Sequence, residues 1–388
     1  MRSAMPGSMA RPRVLQVISH LGLGGAEEVC LSIVRRLHAH FAFAVFVPRG
    51  IQSDSVATRM RSELMQLGVP LHVGSHLSFK HGGVALAAWK LRRVLKRVRP
   101  SLVHLHTETP EATYALASIG IGKDRPTLVR TIHNSVYWTP QRWVGRRCEL
   151  LLSECHIAAV SGAALEAWQT LRAESGAPLS TARFRIIRNG VQVANRRSRG
   201  WIPRRRVRLL FAGRLEYQKG ADLIPEIVRS VRLPRDCTIE LTIIGHGTYE
   251  AQLRTFASAP PAGWTIRLCT PVPDLRERLA EFDAVLMPSR FEGLSIIAME
   301  ALMANVAVVG TLAAGLREGF PEDYPWLARV DDARHFAAML TRLLVSREQW
   351  PELMSEAFEF ANREFTSERM SASYDDLYHE ALRGHGRA

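Results

Sequence analysis

The sequence predicts an α/β protein of two doubly wound domains, each a parallel sheet with helices on both faces, set on either side of a cleft. Three observations lead to this. Apolar runs of strand length alternate with segments of helical periodicity along most of the chain. The alternation lapses once, in a polar, arginine-rich stretch with Gly200 and Pro203, and then restarts. With 388 residues, the chain is also too long for one ordinary hydrophobic core. The boundaries follow: a first domain over 1–191, a linker over 192–206, a second domain over 207–365, and a terminal helix over 366–388 expected to pack back on the first domain.

Composition narrows the class. The chain is 47% apolar and 23% charged, which suits a folded protein and not a disordered one. No apolar run reaches the length of a spanning helix. The basic N-terminus lacks an apolar h-region, so it does not read as a secretory signal, and Met1, Met5 and Met9 are alternative starts. Five cysteines, none in a C-x-x-C pair, fit buried reduced thiols in a cytoplasmic protein better than a zinc site or a disulfide framework.

In the first domain, residues 14–19 read as a strand and 20–25 as a glycine-containing turn. Ala26, Val29, Cys30, Ile33, Val34 and Leu37 then recur with the spacing of one helical face. Further strands are read at 41–47, 71–73, 102–105, 127–132, 157–160 and 185–187. Each ends in a small, polar or histidine residue, and ligands of open α/β sheets bind beyond those ends. In the second domain the strands fall at 208–212, 239–244, 265–269, 284–287 and 306–309, with helices at 223–231 and 249–257. The tail over 332–382 reads as helical throughout.

The richest stretch is 282–301, FDAVLMPSRFEGLSIIAMEA, which reads as strand, loop and helix. Glu292 falls in the loop and Glu300 in the helix, so the two carboxylates are roughly 12 Å apart along the axis. That separation rules out a shared proton or metal. It suits the two ends of one hydroxyl-rich ligand, with an anionic group between them at the N–H groups of Gly293 and Leu294 and the positive end of the helix. A sugar joined to a nucleoside diphosphate has this layout. Arg214 and Lys219, in AGRLEYQKG after a strand, can both point at a diphosphate, although surface exposure alone would also account for them.

The turn 21–25 carries Gly22, Gly24 and Gly25 before a helix, where backbone N–H groups can approach a phosphate, or where the glycines simply make a tight turn. It departs from G-x-G-x-x-G, and the second strand ends in Val47-Pro48-Arg49 with no acidic residue for a ribose, which speaks against a nicotinamide cofactor. The net charge of +14 is concentrated at Lys90, Arg92, Arg93, Lys96, Arg97 and Arg99, and again between Arg196 and Arg208. In the first cluster Val84, Ala87, Leu91, Val94, Leu95 and Val98 form the expected buried stripe, leaving the basic side chains outside. Such a face is either simply solvated or drawn to anionic lipid headgroups. Nucleic acid fits less well, because no zinc-finger or RNP-type motif is present and few aromatics lie among the basic residues.

Six short motifs in order carry a resemblance. They are Gly24-Gly25-Ala26-Glu27, Thr131-Ile132-His133, Asn189-Gly190-Val191, Gly213-Arg214 with Lys219-Gly220, Ile244-Gly245-His246-Gly247, and Pro288 to Gly293 leading to Glu300-Ala301. Together they resemble the retaining glycosyltransferases of the GT-B fold, two Rossmann-like domains facing across a cleft, in the group marked by two glutamates separated by seven residues.

The resemblance implies that Arg214 and Lys219 hold the donor diphosphate, Glu300 the ribose hydroxyls and Glu292 hydroxyls of the transferred sugar. It implies that His133 contacts the sugar near the reacting carbon. Gly24 and Gly25 would face the diphosphate and acceptor, while Gly245, Gly293, Leu294 and Ser295 would complete the donor site. It further implies a nucleotide-sugar donor, a lipid-linked or cell-envelope glycan acceptor, no metal or other cofactor, and a cytoplasmic enzyme on the inner face of the membrane. A catalytically silent GT-B binding subunit and a sugar-nucleotide epimerase are the alternatives.

His104 and His106, alternating in VHLH, are expected on opposite strand faces, with His106 toward the acceptor. Glu318 in AAGLREGF resembles a donor-sugar loop. The chain departs from the family pattern after Glu300, where Ala304-Asn305-Val306-Ala307 replaces a small-Gly-x-Pro turn, and at His246, where an acidic residue is usual.

Overall fold

A computed structural model describes residues 11–385, apart from 78–81, 123–124, 193–205, 236, 274 and 347–348. The first half contributes β1 (Arg13–Val17), α1 (Gly25–Leu37), β2 (Ala42–Val47), α2 (Ser55–Gln66), β3 (Leu71–Val73), α3 (Gly83–Val98) and β4 (Leu102–His106). It continues with α4 (Glu108–Ala117), β5 (Thr127–Ile132), α5 (Arg142–Leu151), β6 (Cys155–Ala159), α6 (Gly162–Ser175) and β7 (Ala182–Ile186). The second half contributes β8 (Arg206–Ala212), α7 (Ile224–Ser230), β9 (Thr238–Ile244), α8 (Glu250–Ser258), β10 (Trp264–Cys269), α9 (Leu275–Arg278) and β11 (Ala284–Met287). Then come α10 (Ile296–Met303), β12 (Ala307–Thr311), β13 (Leu327–Ala328), α11 (Ala333–Val345), α12 (Trp350–Glu364) and α13 (Ser367–His385).

Two parallel sheets result, in the orders β3-β2-β1-β4-β5-β6-β7 and β10-β9-β8-β11-β12-β13. Their central strands are buried along their whole length, as β4, β5 and β12 show, because helices cover both faces. Each sheet reverses its winding once, between β1 and β4 and between β8 and β11. Loops leaving the carboxyl ends of such a pair diverge to opposite faces and leave a crevice. The two crevices face each other.

The last helix crosses back. A parallel bridge joins Val191 to Thr366, and α13 then lies on the first sheet beside α1. Its Tyr378 meets Phe41 edge-on at 5.4 Å, and Arg36 donates 2.9 Å to Ser367 Oγ and pairs with Glu368.

Several expectations change. The tail is three helices, not one: it breaks at Ser346 and again where Phe365, fully buried, and Thr366 are pulled into the bridge to Val191. The two-residue strand β13 is too short to leave a periodic signal. Helix α10 starts only at Ile296, because Ser295 has extended backbone and serves as N-cap. Four cysteines are buried, but Cys269 at the end of β10 is exposed. On α3 the buried stripe is Gly83, Ala87, Ala88, Leu91 and Leu95, with Val84, Val94 and Val98 half-buried. The expected linker lies outside the described residues except for Gln192 and Arg206, as do the initiator candidates and most of the second basic cluster.

Candidate functional site

The facing crevices enclose a cavity of about 530 Å³. Its second-domain wall begins just past β8, at Gly213 and Arg214. Lys219 closes a short 3-10 turn, and Gly220 follows at φ 66, where a Cβ would stand 2.1 Å from the Pro288 carbonyl oxygen. Only glycine fits there, so the Lys219 turn can press against the 288–295 loop. Lys219 Nζ lies 2.6 Å from Glu292 Oε1, which also accepts from Ser289 Oγ at 2.8 Å. Arg214 donates to Gln218 Oε1 at 2.6 Å, and Gln218 donates to the Phe291 carbonyl at 3.2 Å. The loop is buckled from behind by Arg290, which pairs with Asp222 and Asp331 at 2.7 Å each and stacks on the Tyr217 ring at 3.7 Å.

Glu300, on α10, lines the same cavity. Burial pushes its carboxyl up to about 7, and Arg276 at 3.3 Å only partly offsets this. Arg276 also reaches Glu28 of α1 at 3.7 Å, and Glu28 holds Arg59 at 2.9 Å, so a chain of charges spans the two domains beside Glu300.

The first-domain wall carries Gly24, Gly25, Glu27, Glu108 and His133. A Cβ on Gly25 would come within 3.7 Å of Ile296, so the glycine turn faces the start of α10. Burial raises both Glu27 and Glu108, and Arg214, reaching from the opposite wall, lowers both. The two walls press together at Gly293, where a Cβ would fall 1.9 Å from the His133 carbonyl oxygen. Ser135 N–H donates to the Glu292 carbonyl at 3.2 Å, and Asn189 Nδ2 to the Leu294 carbonyl at 2.9 Å.

Of the residues singled out in the sequence, Gly24, Gly25, His133, Arg214, Lys219, Glu292, Gly293, Leu294, Ser295 and Glu300 line this one cavity. Gly245 does not. It stands behind the β8 turn, where a Cβ would lie 2.0 Å from the Gly213 carbonyl oxygen. Glu318 also lies elsewhere: its carboxylate accepts from the backbone N–H groups of Gly162 and Ala163, at 2.8 and 2.9 Å, and caps α6 across the domain boundary.

The histidine expectation is corrected. Residues two apart on a strand share a face, so His104 and His106 stand together with ring centroids 4.0 Å apart. His106 is fully buried behind His133 and does not reach an acceptor. Sequence reasoning also passed over Arg276, Glu28 and Glu108. Nothing local marks them, and only Glu27 stood within a motif.

With this geometry in place, two family models match the chain: Glycosyltransferase Family 4 over residues 23–195 and Glycosyl transferases group 1 over residues 206–346. The chain belongs to the GT-B glycosyltransferases. Among curated relatives, the amylovoran biosynthesis glycosyltransferase AmsK of Erwinia amylovora is 32% identical over 146 residues, 35% of this chain and 36% of that protein. A D-inositol 3-phosphate glycosyltransferase of Arthrobacter sp. (strain FB24) is 31% identical over 120 residues, 30% of this chain and 28% of that protein. The matched stretches thus span well under half of these relatives. Among solved structures, Anabaena Alr3699/HepE in complex with UDP and glucose superposes with a TM-score of 0.74 at 16% identity, covering 95% of this chain and all of that one. The apo lipopolysaccharide outer core galactosyltransferase WaaB superposes with a TM-score of 0.63 at 13% identity, covering 95% and 99%. These likenesses establish the shared GT-B architecture.

Proposed function

We propose that this GT-B chain is a retaining glycosyltransferase that moves a sugar from a nucleotide-diphosphate donor to a lipid-linked or cell-envelope glycan acceptor without a divalent metal. The carrying observation is the convergence of Arg214, Lys219, Glu292 and Glu300 on one cavity wall, around the start of α10. In this reading the diphosphate lies between Arg214, Lys219 and the N–H groups at Gly293 to Ser295, while Glu300 takes the ribose and Glu292 the sugar. As the bond from the anomeric carbon to the diphosphate breaks, negative charge grows on the leaving oxygen, and fixed cations and a helix N-terminus stabilise it. That oxygen takes the proton of the acceptor hydroxyl, and the acceptor oxygen bonds the anomeric carbon on the same face, so no protein nucleophile is consumed. The chain's remaining contribution is orientation.

The likeness to AmsK, an amylovoran biosynthesis glycosyltransferase, supports a glycan acceptor. A further feature supports contact with an anionic membrane. Trp89 is 54% exposed beside Arg93, whose guanidinium lies 4.9 Å from the indole, and Trp143 is 67% exposed on α5, which packs against α4 as α3 does. Aromatic side chains among cations are suited to a headgroup layer. No helix among the described residues is long and apolar enough to cross a membrane.

The test is incubation of the purified protein with UDP-, GDP- and ADP-sugars and a polyprenyl-phosphate-linked sugar acceptor, with EDTA present. Retained anomeric configuration in the product, read by proton NMR couplings, is expected. No transfer to any acceptor with any donor, or inversion at the anomeric carbon, would overturn the reading.

A further inference from the structure

Behind His133 a file of hydrogen bonds runs through the first sheet to α13. His133 Nε2 is 2.9 Å from His106 Nδ1, and His106 Nε2 is 2.9 Å from Gln16 Oε1. Gln16 Nε2 donates to Tyr378 Oη at 2.8 Å, Tyr378 Oη is 2.7 Å from His104 Nδ1, and His104 Nε2 is 2.7 Å from Thr131 Oγ1. Thr131 in turn meets Tyr374 Oη at 3.0 Å. Gln16, His104, His106, Thr131, Tyr374 and Tyr378 are all at most 1% exposed.

Such a file has a direction, because a neutral imidazole has one donor and one acceptor. The amide group of Gln16 is the fixed point. Its nitrogen faces Tyr378, so its oxygen faces His106 and requires a proton on His106 Nε2. Burial lowers both His106 and His133, the latter to about 3, so each ring carries one proton. His106 Nδ1 is then bare, and His133 Nε2 must donate to it. That leaves His133 Nδ1, which has no hydrogen-bond partner among the described residues, as a bare acceptor on a ring that lines the cavity.

We propose that Gln16 and Tyr378 are positioning residues that act through His106 to hold His133 in its Nε2–H tautomer, so that Nδ1 accepts a hydrogen bond from a hydroxyl of the bound sugar. The inference rests on the glycosyltransferase reading for the sugar but not for the tautomer. It gives α13 a second role: beyond clasping the domains, it supplies the hydroxyl that orients the Gln16 amide.

Long-range proton–nitrogen NMR on protein labelled with ¹⁵N-histidine reads the tautomers directly, without substrate. The wild-type protein at pH 7 is expected to show His133 and His106 protonated at Nε2. An Nδ1–H pattern for His133 means the file runs the other way and overturns the proposal.

Gln16→Glu places a carboxylate against His106, favours protons on both its nitrogens, and forces His133 Nε2 to accept. The expected result is a switch of His133 to Nδ1–H, a fall in turnover of tenfold or more, and affinity for the nucleoside diphosphate alone within twofold of wild type. Tyr378→Phe keeps the packing and removes the hydroxyl, and is expected to give mixed His133 tautomers with a smaller loss of turnover. Equal loss of diphosphate affinity and turnover, or an unswitched tautomer in both variants, overturns the proposal. If the tautomers behave as stated but no sugar is transferred by the wild type, the functional reading fails and the sugar contact with it, while the file itself stands.

Discussion

Glu300 offers the clearest test of the site's energetics. Its carboxyl rises from an ordinary value of 4.5 to about 7 because it is buried, with Arg276 too weak a partner to compensate. A carboxyl raised by folding favours the native state fully below its unfolded value, and this advantage is lost as pH climbs from there through 7. Above pH 7 the native state therefore holds a buried charge at a cost of roughly 3 kcal/mol, taking about 1.4 kcal/mol per pKa unit. Glu300→Gln retains the shape of the neutral acid and never ionises. The variant should match the wild type in thermal stability near pH 5 and exceed it at pH 8.5, by about 5 °C or more if the full term is recovered. The same change should abolish most of the stabilisation by donor nucleotide, because ribose hydroxyls lose the ionised acceptor that they would draw out. Differential scanning fluorimetry across pH, with and without UDP, GDP and ADP, measures both. A stability difference that does not grow with pH, or a variant less stable at pH 8.5, would refute the argument.

Lys219→Ala and Glu292→Ala should each lower turnover more than tenfold with the protein still folded, as circular dichroism would show, since both side chains line the cavity; unchanged turnover in either variant removes its role. Arg130→Met should cost about 3–5 kcal/mol, because it leaves the fully buried Glu111 carboxylate without a cation and Glu149 with Arg172 alone. Urea unfolding measures this, and a loss under 1 kcal/mol would mean water reaches the pair. Binding to vesicles containing anionic lipid should weaken at high salt and on Trp89→Ser, as a sedimentation assay would show; insensitivity to both would dismiss the α3 face as a headgroup contact.

The two-domain α/β class, nearly every strand and the stretch around Glu292 were legible in the sequence, because each leaves a local trace. Strand-length apolar runs, helical spacing, and glycines where a carbonyl presses close all act within a few residues. Arg214 and Lys219 were legible too, as cations on the loop after β8, and Glu300 by its helical spacing from Glu292.

What required the tertiary structure was every relation between distant segments. Arg276 has no local signature, and it matters only because α9 folds against Glu300 and Glu28. Glu318 looked like a sugar ligand until α6, more than 150 residues earlier, presented its N-terminus. His106 looked available until Gln16, His104 and His133 closed around it. The physical reason is common to all three. A side chain's charge and hydrogen-bonding capacity are written in its identity, but whether they are spent on a ligand or on the protein depends on which chain segment arrives opposite. In this fold that is decided by two winding reversals meeting face to face.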